Sequence, residues 1–152
     1  MQYLGVNELD YDYILIDTDK ISAIQDFRFK EFNRNYFVTS FDSYSLKRGV
    51  EILTAFDETV NITKLLFAED ILKEEDDYLD YLTLGYKVLW NEFRLYFPIE
   101  NGDLTVIHEN HRFEKISLKR MSVQYKDGLE YLVSEINEDA NASNIRKIIK
   151  EL

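Results

Sequence analysis

The spacing of apolar and polar positions changes along the chain, and each change marks an expected element. Residues 11–17 run through Tyr13, Ile14, Leu15 and Ile16, an aromatic and β-branched stretch that predicts a strand. Phe27 and Phe29 alternate with Arg28 and Lys30, the period-two pattern of a half-buried strand. Asn33-Arg34-Asn35 predicts a turn, with Tyr36, Phe37, Val38 and Thr39 returning as the second arm of a hairpin. From residue 45 the spacing becomes helical. Leu46, Val50, Leu53 and Phe56 share a face, and Asp42, Ser43 or Ser45 is available as N-cap. Asn61 is expected to cap a second, short helix that turns Ile62, Leu65 and Leu66 inward. A third helix over residues 75–92 opens on Glu74, Glu75, Asp76 and Asp77, where negative charge suits the helix dipole. Leu79, Leu82, Tyr86, Leu89 and Phe93 mark its apolar face.

The strongest local signal is Asn101-Gly102, set between residues 95–99 and 104–107, both apolar. That pair favours a type I′ hairpin turn, whose two central residues need positive φ. Pro98 has no N–H for a ladder, so its strand belongs at an edge or a bulge. Glu109-Asn110 predicts the next turn, with residues 113–118 as a third strand. Tyr125, Leu129, Leu132, Val133 and Ile136 then predict a helix that Gly128 weakens. Residues 137–141 break the pattern. Ser143 is expected to cap a last helix carrying Ile145, Ile148, Ile149 and Leu152. The order of elements predicts a single α+β domain over residues 1–152, an antiparallel sheet with hairpins packed against several helices.

Composition narrows the function classes. The chain has 152 residues, 45% hydrophobic and 31% charged, values of a folded domain with a real core. It has no cysteine, which excludes disulfides, thiolate metal sites and a cysteine nucleophile. Only 5 glycines occur, and none builds the Gly-rich loop of a nucleotide-binding motif. The first residues show neither a basic region nor an apolar run of signal-peptide type, and no stretch is apolar for long enough to span a bilayer. A cytoplasmic protein with no membrane contact is the expectation. The 29 acidic against 18 basic side chains give a net charge of −11, which repels phosphate backbones and favours a basic protein partner.

Within that charge, residues 69–80 stand out. Glu69, Asp70, Glu74, Glu75, Asp76, Asp77 and Asp80 face only Lys73 in opposition, and Tyr78 and Tyr81 are interleaved with them. Acids steer a basic partner toward contact, and tyrosines are the anchors enriched at interface hot spots. The competing reading is a solvated helix start. These nine residues are the expected partner-binding set.

Other constellations are thinner. Asp17-Thr18-Asp19, after an apolar run, resembles the Asp-x-Asp with which haloacid-dehalogenase-type phosphatases hold magnesium. Lys20 and Ile21 stand where that motif continues with Gly and Thr, and a strand ending in an Asx-type turn accounts for the same residues. His108 and His111 are three apart, near an expected strand turn, with no third ligand fixed by spacing. Arg112, Lys115, Lys119 and Arg120 surround Phe113, a pattern that suits nucleic acid but also the polar face of a half-exposed strand. Residues 44–53 resemble the opening helix of IclR-type winged-helix regulators, but no polar recognition helix follows and residues 69–80 are acidic where basic contacts belong. No nucleophile elbow occurs.

The expected function is therefore that of an acidic protein-binding inhibitor with no cofactor and no metal. Its most specific form is an immunity or antitoxin protein that occludes the basic active-site cleft of a toxin such as a nuclease. Two alternatives stand beside it: a metal-dependent enzyme using Asp17 and Asp19, and a DNA-mimicking or phage-type regulatory module.

Overall fold

The computed structural model describes residues 11–40, 42–68 and 73–152. Its centre is a three-stranded, all-parallel sheet of order β1-β2-β3, formed by Tyr36–Ser40, Val60–Ala68 and Val88–Pro98. Helix α1 (Ile21–Asp26) and a 3-10 turn (Phe29–Glu31) precede β1. Helix α2 (Ser43–Leu53) joins β1 to β2, and α3 (Lys73–Leu82) joins β2 to β3. Helices α4 (Asn101–Arg112), α5 (Val123–Ile136) and α6 (Ala142–Glu151) complete the chain. The class is α/β, which overturns the expected antiparallel sheet. Parallel neighbours need a crossover between them, and here each crossover is a helix.

Strand β2 explains why the pattern misled. Ile62 to Leu66 is buried without a break because both faces of the strand are covered. Ile62, Leu65 and Leu66 therefore sit at helical spacing by coincidence, and the helix expected after Asn61 is a strand. On one face, Leu66 packs with Leu46 and Val50 of α2 and Leu79 of α3. Val60 and Ile62 join Leu53, Phe56 and Ile24 on the same side. On the opposite face, Leu65, Leu95 and Phe97 pack against Tyr125, Leu129 and Leu132 of α5. Helices α2 and α3 share a face because two crossovers of one hand, advancing in one direction, return on one side.

Further expectations fail for related reasons. Residues 11–17 form no strand, and Phe29 and Lys30 belong to the 3-10 turn instead of pairing with β1. Tyr36 to Ser40 is a strand, but its partner is β2 in parallel, with Phe37 opposite Lys64. The third helix ends at Leu82, and Leu89 and Phe93 belong to β3. Asn101-Gly102 is no hairpin turn. It opens α4, where the Glu100 and Asp103 side chains form a reciprocal capping box. Residues 104–107 are helical, and residues 113–118 form a loop.

The helices expected at α2, α5 and α6 are present, although Val133, Ile148 and Leu152 of the expected apolar faces are exposed. Asp42 is the cap of α2, accepting from Ser45 N–H at 2.9 Å. Hydrogen bonds from the Ser40 hydroxyl and then from Ser45 hold the Asp42 carboxyl at about 2. Asn141, not Ser143, caps α6. Gly128 is one of the two close approaches in the fold: a Cβ there would stand 3.0 Å from Phe97 Cδ1, so glycine is what lets α5 lie against β3. Helix α6 packs on α5 through Ile145 and Ile149, and Arg146 Nε reaches both Glu130 carboxylate oxygens at 2.7 Å.

Candidate functional site

Helix α3 is held by one side and shows the other. Leu79 is fully buried between α2 and β2. After the last turn, the Thr83 hydroxyl donates to the Leu79 carbonyl at 3.0 Å and accepts from Trp90 Nε1 at 2.9 Å. Gly85, with φ of +84°, then reverses the chain toward β3. These contacts fix which residues of α3 look outward. Tyr78 and Tyr81 are 51% and 68% exposed, and Leu84 beyond them is 72% exposed. The two tyrosine rings stack, with centroids 6.5 Å apart and planes 19° from parallel. Residues three apart on a helix are neighbours, so the i, i+3 spacing produces the pair.

The structure divides the nine predicted partner-binding residues. Tyr78 and Tyr81 form one exposed aromatic ledge. Glu74, Glu75, Asp76 and Asp77 lie in the first half of the same helix. Asp80 points elsewhere: its carboxylate accepts from Lys64 Nζ at 2.6 Å. Glu69 and Asp70 lie outside the described residues.

The Lys64–Asp80 pair is the functional-looking feature that pattern reading missed. Lys64 sits mid-way along the central strand, 3% exposed, with its ammonium 5.3 Å from the Trp90 ring centroid. A single cation between Ile62 and the apolar residues 65–68 was the available signal. Lys64 draws Asp80, and through Thr83 and Trp90 the same cluster ties the end of α3 to β3. Its chemistry is that of a clamp for the helix.

The remaining predicted sites do not assemble. Asp19 is bound to Arg48 Nη2 at 2.7 Å, at the rim of an open depression of about 320 Å³ that Lys20, Ser22 and Glu51 also line. Asp17 is exposed and follows no strand, which removes the strand-end geometry a magnesium site of that type needs. His108 and His111 lie exposed on α4, not at a strand turn, and Glu109 between them pairs with Arg120. Among the described residues, no three His, Cys, Asp or Glu side chains converge as metal ligands. No helix among them is long and apolar enough to cross a membrane.

Asp103 is the most deeply buried carboxylate described, at 1% exposed. It accepts from Glu100 N–H at 3.0 Å, from Ser122 N–H at 2.6 Å and from the Ser122 hydroxyl at 2.7 Å. Burial alone would raise its pKa. The Ser122 and Glu100 donors outweigh burial and hold it below the usual carboxylate range. Ser122 in turn caps α5 through Tyr125 N–H at 3.1 Å. Asp103 thus joins the starts of α4 and α5, a structural role that its place beside an expected hairpin turn had hidden.

No protein family, curated protein or solved structure matches this chain.

Proposed function

We propose that the protein acts by binding a basic protein partner through the outward face of α3, and that its specific role is to neutralise a basic toxin, such as a nuclease, in the cytoplasm by covering the toxin's active-site cleft. The observation that carries this reading is the exposed, stacked Tyr78–Tyr81 pair on the helix with the chain's densest run of acids. Aromatic side chains left half or more in water cost apolar exposure, and a partner that covers them recovers it. The acids draw a cationic cleft into the encounter and raise the association rate. A nuclease cleft is basic because it must hold phosphate, so it is the complement of this face. The Lys64–Asp80 clamp presents the face pre-formed, which lowers the ordering cost of binding.

The test uses the chain tagged in its native host, with capture at low and high salt, beside a variant carrying Tyr78→Ala and Tyr81→Ala. A stoichiometric basic partner should be retained at moderate salt, released at high salt and lost by the variant. Each tyrosine truncation is expected to cost about 2 kcal/mol of binding, roughly thirtyfold. Retention of the same partner by the double variant would remove α3 from the interface.

A further inference from the structure

The connection from α4 to α5 carries charge opposite to the rest of the chain. Residues 109–127 hold Arg112, Lys115, Lys119, Arg120 and Lys126 against Glu109, Glu114 and Asp127, a local charge of +2 in a chain of −11. The connection is a built loop. The Asn110 side-chain amide donates to the Ser117 carbonyl at 2.9 Å and accepts from Ser117 N–H at 3.1 Å. Lys115 N–H returns to the Asn110 carbonyl at 3.1 Å, and Glu114 turns the chain with φ of +48°. Arg120 pairs with Glu109 of α4, and Lys126 Nζ donates to the Lys119 carbonyl at 3.3 Å.

This braced loop displays apolar side chains to water. Phe113 is 59% exposed, Ile116 74%, and Val123 in the first turn of α5 68%. Arg112 Cζ and Lys115 Nζ each lie 5.5 Å from the Phe113 ring centroid, so two cations contact the ring. Cations at the end of α4 offset its dipole, which accounts for Arg112. It does not account for Lys115, Lys119 and Lys126, or for three apolar side chains turned outward.

We propose that this loop docks on an anionic bilayer surface, with Phe113 and Ile116 entering the boundary between headgroups and acyl chains and Arg112, Lys115, Lys119 and Lys126 meeting the anionic headgroups. Apolar tips ringed by cations are what an interfacial contact requires, and such a contact needs no spanning helix. The turn's own hydrogen bonds reduce the backbone desolvation that entry would otherwise cost. The acids of α3 oppose this weakly, because α3 packs on one face of the sheet and α5 on the other, and exposed charges are screened over about 8 Å. A nucleic acid is the lesser fit: Ile116 and Val123 have no ring to stack on a base, whereas a bilayer takes up all three exposed apolar side chains.

The test is co-sedimentation of the full chain with vesicles of phosphatidylcholine alone and of phosphatidylcholine mixed with phosphatidylserine. The expected result is binding to the mixed vesicles only, weakened by salt. Phe113→Ser combined with Ile116→Ser, and separately Lys115→Glu combined with Lys119→Glu, should each reduce affinity by about tenfold or more. All four side chains are exposed, so circular dichroism should show both variants folded. Absence of binding to the mixed vesicles overturns the proposal, and so does undiminished binding by the Phe113→Ser, Ile116→Ser variant. A duplex-DNA gel shift that needs the lysines and ignores Phe113 and Ile116 would assign the loop to nucleic acid and overturn it equally.

Discussion

Replacing Asp103 should cost more than any other single polar change among the described residues. The carboxylate is 1% exposed and receives three hydrogen bonds, two from Ser122 and one from Glu100 N–H. Hydrogen bonds to a charged acceptor contribute about 1.5–3 kcal/mol each, and buried donors left without a partner cost about 1–3 kcal/mol. Asp103→Asn keeps one acceptor oxygen but turns an amide N–H₂ toward donors, so a loss of about 2–4 kcal/mol is expected. Asp103→Ala orphans all three donors and should lose about 3–5 kcal/mol. Ser122→Ala removes one donor and the α5 cap and should lose about 1–2 kcal/mol. Urea unfolding followed by circular dichroism at pH 7 measures each loss. The pH dependence follows from the lowered pKa of Asp103. A carboxyl whose folded pKa lies below its unfolded value of about 3.9 gives stability that is complete above that value and is lost as pH falls through the folded pKa. The gap between wild type and Asp103→Asn should therefore narrow below about pH 4, because only the wild type has that proton to take up. A loss under about 1 kcal/mol at pH 7, or a gap that stays constant into acid, would refute the network.

Two glycines should answer alanine with opposite signs. A Cβ at Gly102 meets nothing within 4 Å in the first turn of α4, so Gly102→Ala should raise stability by about 0.5–1 kcal/mol, read as a higher Tm. Gly128→Ala should lower it by about 1–3 kcal/mol, because its Cβ would press at 3.0–3.1 Å on Phe97, whose ring stacks on Phe67 at 4.8 Å. At the clamp, Lys64→Met should stay within about 1 kcal/mol of wild type in denaturant melts, since an apolar side chain of similar length suits the buried strand. Asp80→Ala should cost more, about 1–2 kcal/mol after allowance for the 46% exposure of its side chain.

The Gly102 experiment also separates the two readings of the fold, and it shows where the sequence was ambiguous. In a type I′ turn both central residues need positive φ, and alanine there would be strained. In α4 the same position is helical and alanine is favoured. Asn-Gly between apolar runs cannot distinguish these from local spacing alone; the capping pair Glu100–Asp103, three apart, is the signal that favours the helix. The amphipathic helices were legible: Leu46, Val50 and Leu53 of α2, Leu129 and Leu132 of α5, and Ile145 and Ile149 of α6 all pack inward or against the core as their spacing predicts. The sheet was not. A strand covered on both faces loses the alternation that identifies strands, and Ile62, Leu65 and Leu66 then fit either period. Strand β3 hides for a different reason: Leu89 and Phe93, both exposed, extend the apparent face of α3.

The candidate surfaces follow the same division between local and tertiary information. That residues 69–80 are acidic and bear tyrosines is plain from composition. That Tyr78 and Tyr81 stack in solvent while Asp80 turns inward depends on Lys64, sixteen residues earlier on a strand the pattern did not reveal. The basic loop was obscured more completely, because reading residues 113–118 as a strand assigned Phe113 and Ile116 to alternating faces of a sheet. Once α4 runs to Arg112 and Asn110 folds the chain back on Ser117, both side chains stand in water with cations beside them. The net charge of −11 therefore conceals a local basic patch: an acidic helix lies on one face of the sheet, and a basic loop leads to the helix on the other. An electrostatic test on the intact chain reads both at once. Salt alone cannot assign a partner to either surface; the paired substitutions at Tyr78 and Tyr81, and at Phe113 and Ile116, can, because each removes apolar anchors from one surface and leaves every charge in place.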